Sequence, residues 1–212
     1  MLRARGIAKI LISFILAIGI MGCQAELTDE ESFIRAQQFL NGLKSYSTII
    51  EYQVADEGGV REYRFRRWVE VPDKFKIEML LPENLEGKII ISDGKQIYMS
   101  HPKVGDSIKL DVASVKQQRP LFIGDFLNDY WLCEEVTKEK KEENGEQYLV
   151  LGCSTARTDS SREGKSIWLD ARTFIPVKMI EYDAEGKIST MIKFESFDAK
   201  WQGEDDFFAV PS

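Results

Sequence analysis

The chain has a single histidine, His101, and that scarcity removes most hydrolytic chemistry before any fold is considered. A Ser-His-Asp arrangement has to use it, yet it sits in the turn-like Ser100-His101-Pro102, and no GxSxG elbow occurs anywhere in the sequence. No GxGxxG or P-loop offers a phosphate cradle. Cysteine is also sparse. Of Cys23, Cys133 and Cys153, the last two are 20 positions apart with no histidine near either, so no zinc-ligand cluster is spelled out. Positive charge is in deficit, 28 Lys and Arg against 35 Asp and Glu for a net −7, and loss of the first 22 residues, with Arg3, Arg5, Lys9 and no acid, takes it to −10. Such a balance argues against a nucleic-acid partner, which needs a basic footprint to displace counterions. Carboxylates err the other way: among 35 acids any pair can be nominated to cut a glycosidic bond, so none is specific. The chemistry left is binding, with no metal or cofactor expected.

No long apolar run is present either. Ile10 to Ile20 spans 11 residues, roughly 16 Å as a helix against a hydrocarbon core of ~30 Å, too short for a permanent span. With its basic start and the small residues that follow, 1–22 reads instead as a secretory signal. Ile20-Met21-Gly22-Cys23 resembles a bacterial lipobox, with an aliphatic residue, a small residue before the cut and a thiol to carry the diacylglyceryl group. The resemblance implies a lipid on Cys23, two or more acyl chains holding the protein to a membrane, and an extracytoplasmic location. Residues 23–27 are then a lipidated tether and 28–212 a single domain, rich enough in Phe (12), Tyr (7) and Trp (4) for a core, or for a core plus a lined cavity.

Thr28-Asp29-Glu30-Glu31 forms a capping box at the start of a helix whose Phe33, Ala36, Leu40 and Leu43 share one stripe. Alternating runs follow from Tyr46 to Gln53 and from Arg61 to Val71, parted by Asp56-Glu57-Gly58-Gly59. Arg61, Arg64, Arg66 and Arg67 read as a solvated face with cross-strand acids such as Glu51 or Glu78. From Trp68 to Val104 four adjacent antiparallel strands are hinged at Pro72-Asp73 and Asp93-Gly94, with Phe75, Ile77 and Met79 on one side and Lys74, Lys76 and Glu78 on the other. Ser107 to Val115 adds a further strand. After Pro120, the positions Leu121, Phe122, Phe126, Leu127 and Trp131 recur at helical spacing.

Trp131 to Lys138 and Gln147 to Thr155 flank the charged turn KKEENGE. A hairpin centred on Glu143 sets Cys133 opposite Cys153, about 4.5–5.5 Å between Cα atoms, which suits a disulfide; the alternative is two small buried thiols. Ser166 to Asp170, Phe174 to Tyr182 and Lys187 to Phe197 close the sheet, and Phe207 and Phe208 tack the tail to the core.

WVEVPDKFKIEM followed by IISDGKQIYMSHPKVG, with the later WLDARTFIPVKMIEYDAEGKISTMIKFESF, resembles the LolA/LolB-type lipoprotein carrier superfamily. The resemblance implies an α+β fold: a curved antiparallel sheet, an open half-barrel, wrapped over a few helices that line or lid a hydrophobic cavity. Phe75, Ile77, Met79, Ile89, Ile91, Phe126 and Trp131 are the candidate lining. Carriers of this superfamily have an arginine just before the proline of the first hairpin, where this chain has Val71, while Phe75 matches an aromatic near the cavity. A branch that looks closer is the anchored, GerS-type germination lipoproteins of spore-forming Gram-positive bacteria. It implies a non-enzymatic accessory scaffold that binds an envelope or spore-cortex enzyme. The alternative is a carrier or receptor holding an acyl chain or lipoprotein in the cavity, and exposed sheet edges would allow a homodimer. Close packing of the Phe75 face by the first helix favours the scaffold; a void of ~300 Å³ or more favours the ligand.

Overall fold

The computed structural model describes residues 27–56, 58–112, 123–156 and 162–211. The expectations for the leader, for Cys23, and for Leu121 and Phe122 lie outside them. Contacts group the chain into two units, Met1–Glu31 and Ser32–Ser212. In the first, the Thr28 hydroxyl accepts the Glu31 amide at 3.2 Å while the Glu31 carboxylate accepts the Thr28 amide at 2.9 Å, a reciprocal cap. It opens helix α1 (Asp29–Gly42), whose first turn carries three acids against the helix dipole.

The second unit is built on one sheet. Its strands are β1 (Ser45–Asp56), β2 (Gly59–Glu70), β3 (Lys74–Leu81), β4 (Ile89–Asp93), β5 (Gln96–Ser100), β6 (Ser107–Asp111), β7 (Glu135–Glu143), β8 (Glu146–Ala156), β9 (Arg162–Asp170), β10 (Pro176–Tyr182) and β11 (Ile188–Asp198). The eleven are ordered β6-β5-β4-β3-β2-β1-β11-β10-β9-β8-β7, an open sheet with β6 and β7 at its edges. Two meanders join where the first strand pairs the last, β1 with β11. The link from β6 to β7 therefore leaves one edge and returns at the other, and helix α2 (Ile123–Leu132) lies within it.

Alternation decides what each strand buries. Phe65 and Val69 of β2, Phe75, Ile77 and Met79 of β3, Leu149 and Leu151 of β8, and Ile167 and Leu169 of β9 form one cluster with Phe33, Ala36 and Leu40 of α1 and Ile123, Phe126 and Tyr130 of α2. This is the core face of the sheet. Each large apolar side chain fully buried there is worth roughly 1.5–3 kcal/mol.

The same alternation corrects the reading of the arginine run. Arg64 and Arg66 point outward and pair with Glu195 and Glu78 at 2.6 and 3.3 Å, whereas Arg67 falls between Phe65 and Val69 on the core face and is 2% exposed. A second correction concerns the hairpin of β7 and β8. Its turn is Asn144-Gly145, both at positive φ (54° and 81°), the two-residue geometry that asparagine-glycine favours. This moves the register, so that Val136 and not Cys133 stands opposite Cys153, and Trp131 and Leu132 belong to α2, not to a strand. The tail docks as expected but on the outer face, Phe207 meeting Trp68 and Trp201 at 5.5 and 5.1 Å between ring centroids, beneath the Lys76 ammonium.

Candidate functional site

The residues nominated for a cavity divide between three places. Phe75, Ile77, Met79 and Phe126 meet in the core cluster, 9%, 4%, 8% and 0% exposed, packed with α1 and α2. Ile89 and Ile91 do not join them. They pair with Glu78 and Lys76 and share those residues' outer face, while Ile90 opposite Ile77 is the isoleucine that turns inward. Three consecutive isoleucines carry no period, so only the β3–β4 register fixes which one faces the core. Trp131 leaves the proposed lining for a different reason: Ile123, Phe126 and Tyr130 form the buried stripe of α2, and Trp131 in the last turn is 61% exposed.

Helix α2 is seated on a polar device that the alternation hides. Beneath its first turn, Tyr46 and Arg67 are both buried at 2% exposure, with Asp125 of α2 close enough to act on both charges. Burial pushes the Arg67 guanidinium below its ordinary value, opposed by Tyr46 and Asp125. Burial likewise raises the Tyr46 phenol, opposed by the Arg67 charge and by a hydrogen bond from the Ile123 backbone. At the other end of α2, Lys165 of β9 holds Asp129 at 2.6 Å and Glu181 at 3.4 Å. Burial works against the Lys165 charge, but these two carboxylates outweigh it and its pKa is raised. Gln37 of α1 donates to the Tyr130 hydroxyl at 3.1 Å, tying the two helices together. Arg67 was legible only as the third member of an inward triplet with Phe65 and Val69.

Just past α2 the two described cysteines come together although they are not register partners. Their side chains hydrogen-bond, and burial, then the neighbouring Cys133, pushes the Cys153 thiol up to about 12. The Cys133 thiol also reaches the Glu135 and Tyr130 carbonyls at 3.2 and 3.5 Å.

At the opposite edge the core face runs out into solvent. Ile77, Ile90, Met99 and Ile108 form one row across β3 to β6, and Phe75, Ser92, Ile97 and Leu110 the next. The inner members are covered, whereas Ile108 is 54% and Leu110 36% exposed, with Val104 beside them at 66%. Leu85, Met99, Val104 and Ile108 line a groove of about 280 Å³ here, almost wholly apolar. Its walls are two loops clamped by His101, whose Nε2–H donates to the Asn84 carbonyl at 2.9 Å and whose Nδ1 accepts the Lys103 amide at 3.1 Å, a pattern that fixes the tautomer. The Lys103 ammonium adds a bond to the Glu83 carbonyl at 2.8 Å. Histidine here is a clamp between loops. The far edge differs: β7 reads EVTKEKKEE, exposed throughout, the charged edge that discourages strand pairing.

Among the described residues no group of His, Cys, Asp and Glu could hold a metal ion, and no helix is long and apolar enough to cross a membrane. No curated protein matches the chain. Among solved structures it is similar to a LolA superfamily protein of Nitrosomonas europaea (14% identity, 87% of this chain and 98% of that one, TM-score 0.43). It is similar also to a chain of the Clostridioides difficile complex of the CwlD amidase with the GerS lipoprotein (25%, 84% and 99%, 0.45). A third likeness is to a chain of the Pseudomonas aeruginosa MucA/MucB complex (16%, 84% and 61%, 0.51), which shares the fold. The family model described as sporulation protein YdcC-like matches residues 4–208, nearly the whole sequence, and the chain belongs to that family.

Proposed function

We propose that this protein is a non-enzymatic, lipid-anchored envelope lipoprotein that docks a protein partner of the sporulating cell envelope, a cortex enzyme among the candidates, through the uncovered end of its core face at β6. One observation carries the reading: the apolar strip is filled by the chain's own α1 and α2 over β2 and β3 but emerges at Val104, Ile108 and Leu110. An acyl chain seated against Phe75, Ile77 and Met79 has to displace a helix; among the described residues no element covers Val104, Ile108 and Leu110 at β6. Strand addition at this edge supplies backbone hydrogen bonds, and the groove takes alternate side chains. The family's sporulation description and the lipobox-like Ile20-Met21-Gly22-Cys23 support the location, and GerS, solved together with an amidase, is a lipoprotein with a protein partner.

A photo-crosslinking residue placed at position 108 in the anchored protein of sporulating cells is expected to capture one discrete protein, while the same residue at Glu139 on β7 captures none. Leu110→Lys should weaken that capture about tenfold, as loss of a central apolar contact does. Equal capture from both edges, or a product containing only a second copy of this chain, would contradict the assignment.

A further inference from the structure

The outer face of the sheet, opposite the helices, carries a second concavity that the docking reading does not use. Register places three rows across β7 to β10: Glu135, Ser154, Gly164 and Tyr182; then Thr137, Gly152, Ser166 and Ile180; then Glu139, Val150, Trp168 and Lys178. In the first two rows small residues occupy the middle and larger ones the ends, and in the third Trp168 stands up as a wall. The result is a trough of about 200 Å³ running across the strands, floored by Gly152, Gly164 and Ser166 and walled by Trp168 and Tyr182. Along β9 its walls stand four residues apart, about 13 Å at ~3.4 Å per residue. The floor is committed to being shallow-chained: a Cβ on Gly152 would lie 2.4 Å from the Thr137 hydroxyl.

Two polar atoms of this trough have no partner. The Ser166 hydroxyl, on a residue 7% exposed, and the Trp168 indole N–H are buried without a hydrogen bond, which costs each of them its hydration. Both are neutral donors. The charges on the rim are already engaged, Lys141 with Glu139 at 3.1 Å and Lys178 with Glu143, so the trough offers no net charge to a phosphate or carboxylate. Strands β8 and β9 are paired on both sides, which leaves no backbone ladder for an extended peptide. Against the indole lie the Tyr148 ring, edge-on with centroids 5.8 Å apart, and the ends of Lys178 and Lys141, 3.8 and 5.3 Å from the ring centroid; a ligand at the indole takes the place of the two lysine ends.

We propose that this trough binds one ring of a neutral saccharide, lying along its floor between Trp168 and Tyr182, with its oxygens accepting from the Trp168 indole and the Ser166 hydroxyl. Aromatic walls, hydroxyl donors and a volume of one ring suit that class.

The test uses the whole mature protein with ¹⁵N-labelled tryptophan. Its four indole signals include that of Trp168, identified as the one lost in Trp168→Phe. Titration with the N-acetylglucosamine trimer and, separately, with maltotriose should move the Trp168 signal saturably with at least one of them and leave Trp68, Trp131 and Trp201 in place. Gly164→Ala puts a methyl on the floor at an ordinary 3.6 Å from Tyr182, with no strained φ, so it keeps the fold. It should weaken binding at least tenfold at an unchanged melting temperature. A Trp168 signal that stays fixed with both sugars, or a shift that Gly164→Ala leaves unaltered, overturns the proposal.

Discussion

Arg67→Ala is expected to lower the stability of the protein by roughly 3 kcal/mol, read as a fall in the urea midpoint at unchanged slope. Arg67 is the largest fully buried side chain, set between Phe65 and Val69 and beneath the first turn of α2. Alanine removes its volume and leaves Tyr46 and Asp125 facing a hole where a cation stood. Arg67→Met separates the two effects. It fills most of the space without the charge, and apolar replacement of a buried charge is often neutral or better, so it should recover most of the loss. In that variant Tyr46 should ionise at a higher pH still, since the Arg67 charge is what opposes the effect of burial on its phenol. An alanine variant as stable as the parent would show that Arg67 is not part of the seat of α2.

The second large effect concerns the cysteines. Exposed to oxidised glutathione, Cys133 and Cys153 should join, the two thiols giving up two protons and two electrons to the reagent. Closing a loop of ~20 residues stabilises by roughly 3 kcal/mol in the chain-entropy model. Reduced protein should also show a pH dependence that bridged protein lacks. The folded state holds the Cys153 proton more tightly than the unfolded chain, about 12 against an ordinary 9.0. That contribution is complete below pH 9.0 and is lost as pH rises toward about 12. Urea melts of reduced and oxidised protein across this window check both claims; coincident curves at every pH would contradict them.

Local pattern made most of the fold legible. The alternation around Phe75, Ile77 and Met79, the hinge at Asp93-Gly94 and the capping box at Thr28 all stand where the sequence places them. Failures came where a period was missing or masked. Ile89-Ile90-Ile91 presents an apolar side chain to each face, so the choice falls to the pairing with β3, a long-range fact. Arg67 hides in a run of arginines although its own spacing from Phe65 and Val69 marks it as inward. Glu143 was the wrong centre for its hairpin, and Asn144-Gly145, the next two letters, was the available signal. Trp131 continues the helical spacing of Leu127 but falls beside the buried stripe, which ends at its neighbour Tyr130. The docking edge was the least visible. Ser107–Asp111 reads as one more strand, and only the strand order shows that no described strand pairs beyond it. Family resemblance anticipated the open antiparallel sheet over helices, and family membership does not say which edge a partner uses.

The most direct measurement on the central claim is native mass spectrometry of the anchored protein, purified from its own membrane in mild detergent through a C-terminal tag. The docking account expects the lipidated chain with one stoichiometric protein partner, and loss of that partner when Ile108 on the exposed end of the core face becomes lysine. A bound lipid of discrete mass beyond the anchor, with no partner protein and no change in the Ile108→Lys variant, would contradict it and restore the carrier reading.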